Sequence, residues 1–279
     1  MSRFRDSILN IIYNLIQIFD TNIGKTRNIL AMDLEDGIFS GVFGTVMWVS
    51  DNMILPTATS IIAVCFFIEF MKISLKMDMF KWEYAISTLA KFAIARAALS
   101  IAPAFLLAIY RIGAGFINST VSTDTPLSLQ GAVFSPITDF MNDLKWQEVL
   151  AMSATLVIIF LAVFVVGIFI LVMAYARMFE ILIYLSVSPL AVAFLPLENS
   201  GITKRFILNF AAVVLQGVIM LIIVMIYSSL VGALFETAET GLSGWGLVAS
   251  MAGTMLVATL TLITAIMKGG SLAKSALGQ

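Results

Sequence analysis

The stretch Arg177-Met178-Phe179-Glu180-Ile181-Leu182-Ile183-Tyr184-Leu185-Ser186-Val187-Ser188-Pro189 decides the fold, because its ending sets how many times the chain crosses a membrane. A long apolar run precedes it, and the basic pair Lys204-Arg205 follows before another apolar run begins. Proline lacks a backbone N–H and clashes with the turn before it. Residues 181–197 are therefore expected to form a broken or re-entrant helical hairpin around Pro189, not a straight crossing.

Outward from that stretch, composition sets the class. Of 279 residues, 60% are hydrophobic and 12% charged, with a mean hydropathy of +1.02, which no water-soluble core requires. The expectation is an all-α, polytopic membrane protein. The net charge of -1 gives no reason to expect a basic nucleic-acid groove. Histidine is absent, which removes His-ligated metals, Ser-His triads and histidine proton relays. The one cysteine, Cys65, sits in an apolar run and reads as a small buried hydrophobe. No Gly-rich phosphate loop or His-Glu-x-x-His pattern occurs, so neither a catalytic centre nor a cofactor is expected.

The chain divides into three parts: residues 1–52 with N-terminal amphipathic helices, a membrane domain over 53–268, and a short tail over 269–279. No cleavable signal peptide is expected, because the first apolar run is interrupted by Asn10, Asn14 and Gln17. Ile8, Leu9, Ile11, Ile12, Leu15, Ile18 and Phe19 share one helical face against Ser7, Asn10, Asn14 and Gln17. That helix is expected to lie on the bilayer surface or against a partner subunit. A second helix after Gly24 is expected to carry Asp33, Glu35 and Asp36 and then an apolar part over 37–49 that is too short to cross.

Full spans are expected at 53–73, from 87 to 112 with a kink at Pro103, and at 149–176, 206–235 and 245–267. An acidic loop at 113–148 separates the second from the third, and a helix is expected to start at Ser135-Pro136. The positive-inside rule then favours five crossings. If residues 181–197 do not cross, Lys72, Lys76, Lys81, Arg177, Lys204, Arg205, Lys268 and Lys274 share the cytoplasmic side, with the N-terminus outside and the C-terminus inside. If they do cross, Lys204, Arg205, Lys268 and Lys274 all fall outside, against the rule. An odd number of spans also argues against the paired halves of many transporters.

Ionisable groups inside the bilayer are costly and call for partners. Glu69 and Arg96, on adjacent antiparallel spans, are expected to pair, and Lys91 to snorkel to the interface. Arg177 and Glu180, three apart on one helix, can pair with each other or hold the turn at Pro189. Asn209 and Gln216 share a face of the fourth span; Ser250, Gly253, Thr254, Thr261 and Ala265 make a similar small, polar face on the last. Such faces read as glue between helices or as the wall of a pore between copies.

The central residues Arg177-Met178-Phe179-Glu180, Ser188-Pro189-Leu190-Ala191, Lys204-Arg205-Phe206 and Leu215-Gln216, with the N-terminal amphipathic region and the outward loop, resemble the TrbL family of polytopic subunits in conjugative type IV secretion systems. The short form is similar to versions carried by conjugative elements of Gram-positive bacteria. The resemblance implies an oligomeric channel or scaffold subunit of the cytoplasmic membrane. It further implies contacts with other channel subunits and associated ATPases, and a part in moving single-stranded DNA with its attached protein. It carries over no catalytic residues. A small permease or ion transporter built on Glu69, Arg96 and the broken hairpin is the competing reading.

Overall fold

The computed structural model describes residues 2–75, 82–121, 146–197, 201–238 and 245–278, and every regular element among them is helical. Helix α1 runs over Ser2–Ala31. A helical run follows, made of a 3-10 turn at Gly37–Phe39, α2 at Ser40–Val49, a π turn at Ser50–Ile54 and α3 at Leu55–Leu75. Then come α4 (Trp82–Val121), α5 (Trp146–Val192), α6 (Ile202–Ala238) and α7 (Trp245–Ala276). Among the described residues five stretches are long and apolar enough to cross a membrane: Gly37–Lys72, Ile86–Ser119, Ser153–Val192, Ile202–Val231 and Gly253–Ala276. The chain is a polytopic α-helical membrane protein. The 47 residues of α5 reach ~70 Å, so a hydrocarbon core ~30 Å thick takes in only part of that helix.

The hairpin expected around Pro189 is not formed. Helix α5 continues through Ser188 and Pro189 to Val192 and only then closes, with Leu195 N–H donating to the Val192 carbonyl. The hydroxyl of Ser188 donates to the Leu185 carbonyl, which takes over the acceptor that proline leaves without a backbone donor. Residues 181–192 are therefore the C-terminal end of helix α5. Helix α4 likewise runs through Pro103 without interruption and reaches Val121, well into the stretch expected as loop. The helix expected at Ser135-Pro136 lies outside the described residues.

Two further boundaries differ from expectation. Residues 37–49 are not a separate short helix, because the π turn at Ser50–Ile54 joins them to α3 and the first span starts at Gly37. A π turn shifts the hydrogen-bond register just before Pro56, where an α-helix would leave an acceptor without its donor. The N-terminal region is one helix, not two: α1 passes through Gly24, and Asp33, Glu35 and Asp36 occupy the turn after it. Gly37 closes that turn with φ +70, and a Cβ there would meet Met32 Sδ at 2.8 Å.

The chain packs as two compact units. The first comprises Met1–Ala31, Phe116–Ala176 and Gln216–Ala273. In it Ile8, Ile12, Ile16, Phe19 and Ile23 form the buried face of α1. Phe19 packs over Gly167 of α5, where a Cβ would meet its ring at 2.9 Å, and its ring lies 6.3 Å from that of Tyr227 on α6. Leu30 touches Gly217 of α6. The apolar face of α1, expected to meet lipid or a partner subunit, is therefore turned onto the chain's own spans. Helix α7 approaches α6 through Gly269, beside Ile219 and Ile223.

The second unit comprises Met32–Gly115, Arg177–Leu215 and Lys274–Gln279. Its core joins Ala58 and Ile62 of α3, Ala95, Leu99 and Ala102 of α4, and Val192 and Ala193 at the end of α5. Alanines let these backbones approach closely, as helices in lipid require. Phe66 and Phe92 meet edge to face at 4.4 Å, while Ala58 and Ile62, earlier on α3, pack with Ala95, Leu99 and Ala102, later on α4, so the two helices run antiparallel. Tyr184 of α5 packs on Phe206 and Phe210 of α6.

Candidate functional site

The polar groups inside the spans are the places where chemistry or transport would occur, and most of them are neutralised locally. Glu69 on α3 is 9% exposed, and the Lys72 ammonium stands 3.1 Å from its Oε2 without making a hydrogen bond. The expected pair with Arg96 is not formed. Arg96 is exposed, and it has no hydrogen-bond or ion-pair partner among the described residues. The reason is its position on α4: Ala95 and Leu99 point into the core with α3, and Arg96 is rotated about 100° from Ala95. Lys72 is one turn from Glu69 on the same helix, where a partner costs no rearrangement. Lys91 is exposed, near the start of α4.

Arg177 donates through Nη1 to Oε2 of Glu180, so this pair is closed within α5 and both residues are half-buried. Pro189 is buried in the last turn of that helix. Asn209 is half-buried on α6. Gln216 is 7% exposed and lies against α7, where a Cβ on Gly270 would meet its amide oxygen at 3.0 Å. Gly270 is thus the gap that admits the Gln216 amide, which makes Gln216 part of a helix contact. On α7, Thr254 and Thr261 donate to carbonyls of their own helix. The buried hydroxyl there is Thr259, 3.5 Å from the Tyr227 hydroxyl.

One polar cluster links distant parts of the chain and was not anticipated. Tyr110 donates to the Met32 carbonyl at 2.6 Å, and its oxygen lies 3.8 Å from Met178 Sδ. Beside it, Arg111 Nε donates to Asp33 Oδ2 at 3.2 Å and Nη2 to Glu35 Oε2 at 2.6 Å. The turn between α1 and the first span is thereby clasped to α4. The available signal was Arg111 itself, a cation at the end of the second span opposite to its other basic residues, with an acidic group before the first span to match it. Among the described residues no group of side chains has the composition of a metal site.

The geometry is that of packed spans with locally closed charges. No curated protein and no solved structure matches the chain. A family model described as TrbL/VirB6 plasmid conjugal transfer like protein matches residues 36–189, from the turn clasped by Arg111 to Pro189 in the last turn of α5. Arg177, Glu180, Ser188 and Pro189 fall within it, whereas Lys204-Arg205-Phe206 and Leu215-Gln216 lie beyond. The match takes in the first three spans and more than half of the sequence, and the chain belongs to the TrbL/VirB6-like family of plasmid conjugal transfer proteins.

Proposed function

We propose that this chain is a membrane-embedded channel or scaffold subunit of a conjugative type IV secretion system, helping single-stranded DNA and its attached protein to cross the cytoplasmic membrane. The observation that carries this is the family match over 36–189 on a chain with five candidate spans. The subunit has no catalytic centre of its own, works in a homo-oligomer with other channel subunits, and takes its energy from associated ATPases. It sits with its N-terminus outside and its C-terminus in the cytoplasm. The basic ends near Lys72, Lys204 and Lys274 support that orientation.

The test is an in-frame deletion of the gene in a donor cell, with transfer of the element to recipients as readout. Loss of transfer, restored by the gene in trans, is expected; undiminished transfer overturns the role. Impermeant thiol labelling of whole cells addresses orientation, with cysteines at Asp124 and Glu239 expected to react and one at Lys204 expected not to. No feature of the charged residues favours a permease. Glu69 pairs with Lys72, and Arg96 stands apart from it.

A further inference from the structure

Helix α1 is polar on one side from Asn10 to Asn28, yet it lies along charge-free stretches of α5 and α6. Phe19 and Leu30 are about three turns apart on α1, as are Tyr227 and Gly217, their contacts on α6, so the two helices run side by side and antiparallel. Phe19 also covers Gly167, deep in the stretch 149–176 of α5, which contains no charged residue. The matching stretch 206–235 of α6 has none either. A crossing needs ~20 residues, so any such window within 149–176 takes in Gly167 and any within 206–235 takes in Gly217. The segment of α1 from Phe19 to Leu30 is therefore held at bilayer depth.

That segment is not built for lipid. The exposed side of α1 carries Asn10, Asn14, Gln17, Thr21, Lys25 and Asn28, a stripe repeating every three or four residues, with Ile11 and Ile18 exposed along one edge. On the opposite side Thr26 is buried, with no hydrogen-bond partner for Oγ1 among the described residues. A lysine facing hydrocarbon costs on the order of 2.5 to 3.5 kcal/mol on insertion scales, and each amide adds to that. Among the described residues of α1's own unit nothing covers the stripe, and its six polar residues are exposed. Water at that depth must be walled off from lipid by protein. A second copy brings the same apolar spans and the same stripe, so copies set around an axis turn their stripes inward and their apolar faces outward. We propose that the α1 stripe lines a water-filled passage at bilayer depth, closed by further copies of this chain. The proposal deepens the channel-subunit reading and rests on it, and α1 lies outside the residues matched by the family model.

The experiment uses the full chain in native membranes with Cys65→Ser as background. A first variant adds Phe19→Cys and Gly167→Cys; oxidation is expected to join them within one chain, seen as a mobility shift, and no such bond overturns the seat of α1. On the seated chain, single cysteines replace residues 10 to 28 in turn. Labelling by an impermeant thiol reagent is expected at Asn14, Gln17, Thr21 and Asn28 and absent at Ile12, Ile16 and Ile23. A bifunctional maleimide is expected to join stripe cysteines of different copies into multimers of this chain. Stripe cysteines that react only with a lipid-soluble reagent, or that label without ever linking two copies, overturn the proposal. A chain that keeps the full pattern while its deletion leaves conjugal transfer unchanged refutes the secretion role and leaves the passage standing.

Discussion

The hydroxyl of Ser188 donates to the carbonyl oxygen of Leu185 over 2.9 Å, and that carbonyl is the one whose helical donor Pro189 lacks. Both residues are fully buried, so the bond is made where water cannot replace it. Ser188→Ala is expected to cost about 1–3 kcal/mol, the penalty of a buried acceptor left without a partner. In a Pro189→Ala background the same change should cost much less, because the substituted alanine brings its own N–H to the Leu185 carbonyl. Thermal denaturation of the four purified proteins in detergent gives the coupling. Equal losses in the two backgrounds would show that the serine repairs nothing.

That bond also explains where the sequence misleads. Five spans were legible from the long, predominantly apolar runs, because a bilayer imposes length and composition directly. The break at Pro189 was inferred from what proline removes, without what the serine before it restores. Residues 37–49 read as an apolar stretch too short to cross, whereas a π turn at Ser50–Ile54 carries the chain through Asp51 and Asn52 into α3. The pairing of Glu69 was assigned by depth alone, and depth does not say which face of α4 carries Arg96. Of the polar candidates, Arg177 with Glu180 was legible because the pair is local to one helix. The clasp of Arg111 on Asp33 and Glu35 was not, since it joins residues 76 and 78 apart in sequence.

Gly113 of α4 leaves no room for a Cβ, which would run into Cγ1 of Val214 on α6. Gly113→Ala should therefore destabilise the chain by about 1–3 kcal/mol through overpacking. Val214→Ala, costly alone because Val214 is buried, should recover most of that loss when combined with it. Midpoints of thermal unfolding in detergent check this, and additive losses would place the two helices further apart than 113 and 214 require.

Tyr110 and Arg111 hold the same turn by different means, so their removal should differ. Tyr110 is 2% exposed, and Tyr110→Phe should cost about 0.5–1.5 kcal/mol for the lost bond to the Met32 carbonyl. Arg111→Glu should change global stability little, because the ion pairs are solvent-exposed, but it should open the turn at residues 33–36 to added protease. Reversing Asp33 and Glu35 to arginine in the same chain should restore protection. Cleavage that is unchanged by Arg111→Glu would mean that the carboxylates do not hold the turn.

Glu69 offers a test between two partners. It faces Lys72 across one turn of α3, while Arg96 lies on an exposed side of α4 turned away from the α3 contact. A double-mutant cycle of Glu69 with Lys72 should give a coupling of about 0.5 kcal/mol, as befits a pair within one helix whose cation is half exposed. The cycle of Glu69 with Arg96 should give none, and charge reversal at Arg96 should not be rescued by reversal at Glu69. Unfolding midpoints in detergent and the amount of each variant in the membrane fraction supply the two readouts. Rescue of Arg96→Glu by Glu69→Lys would bring the two residues together after all, and with them the buried charge pair on which a transporter reading depends.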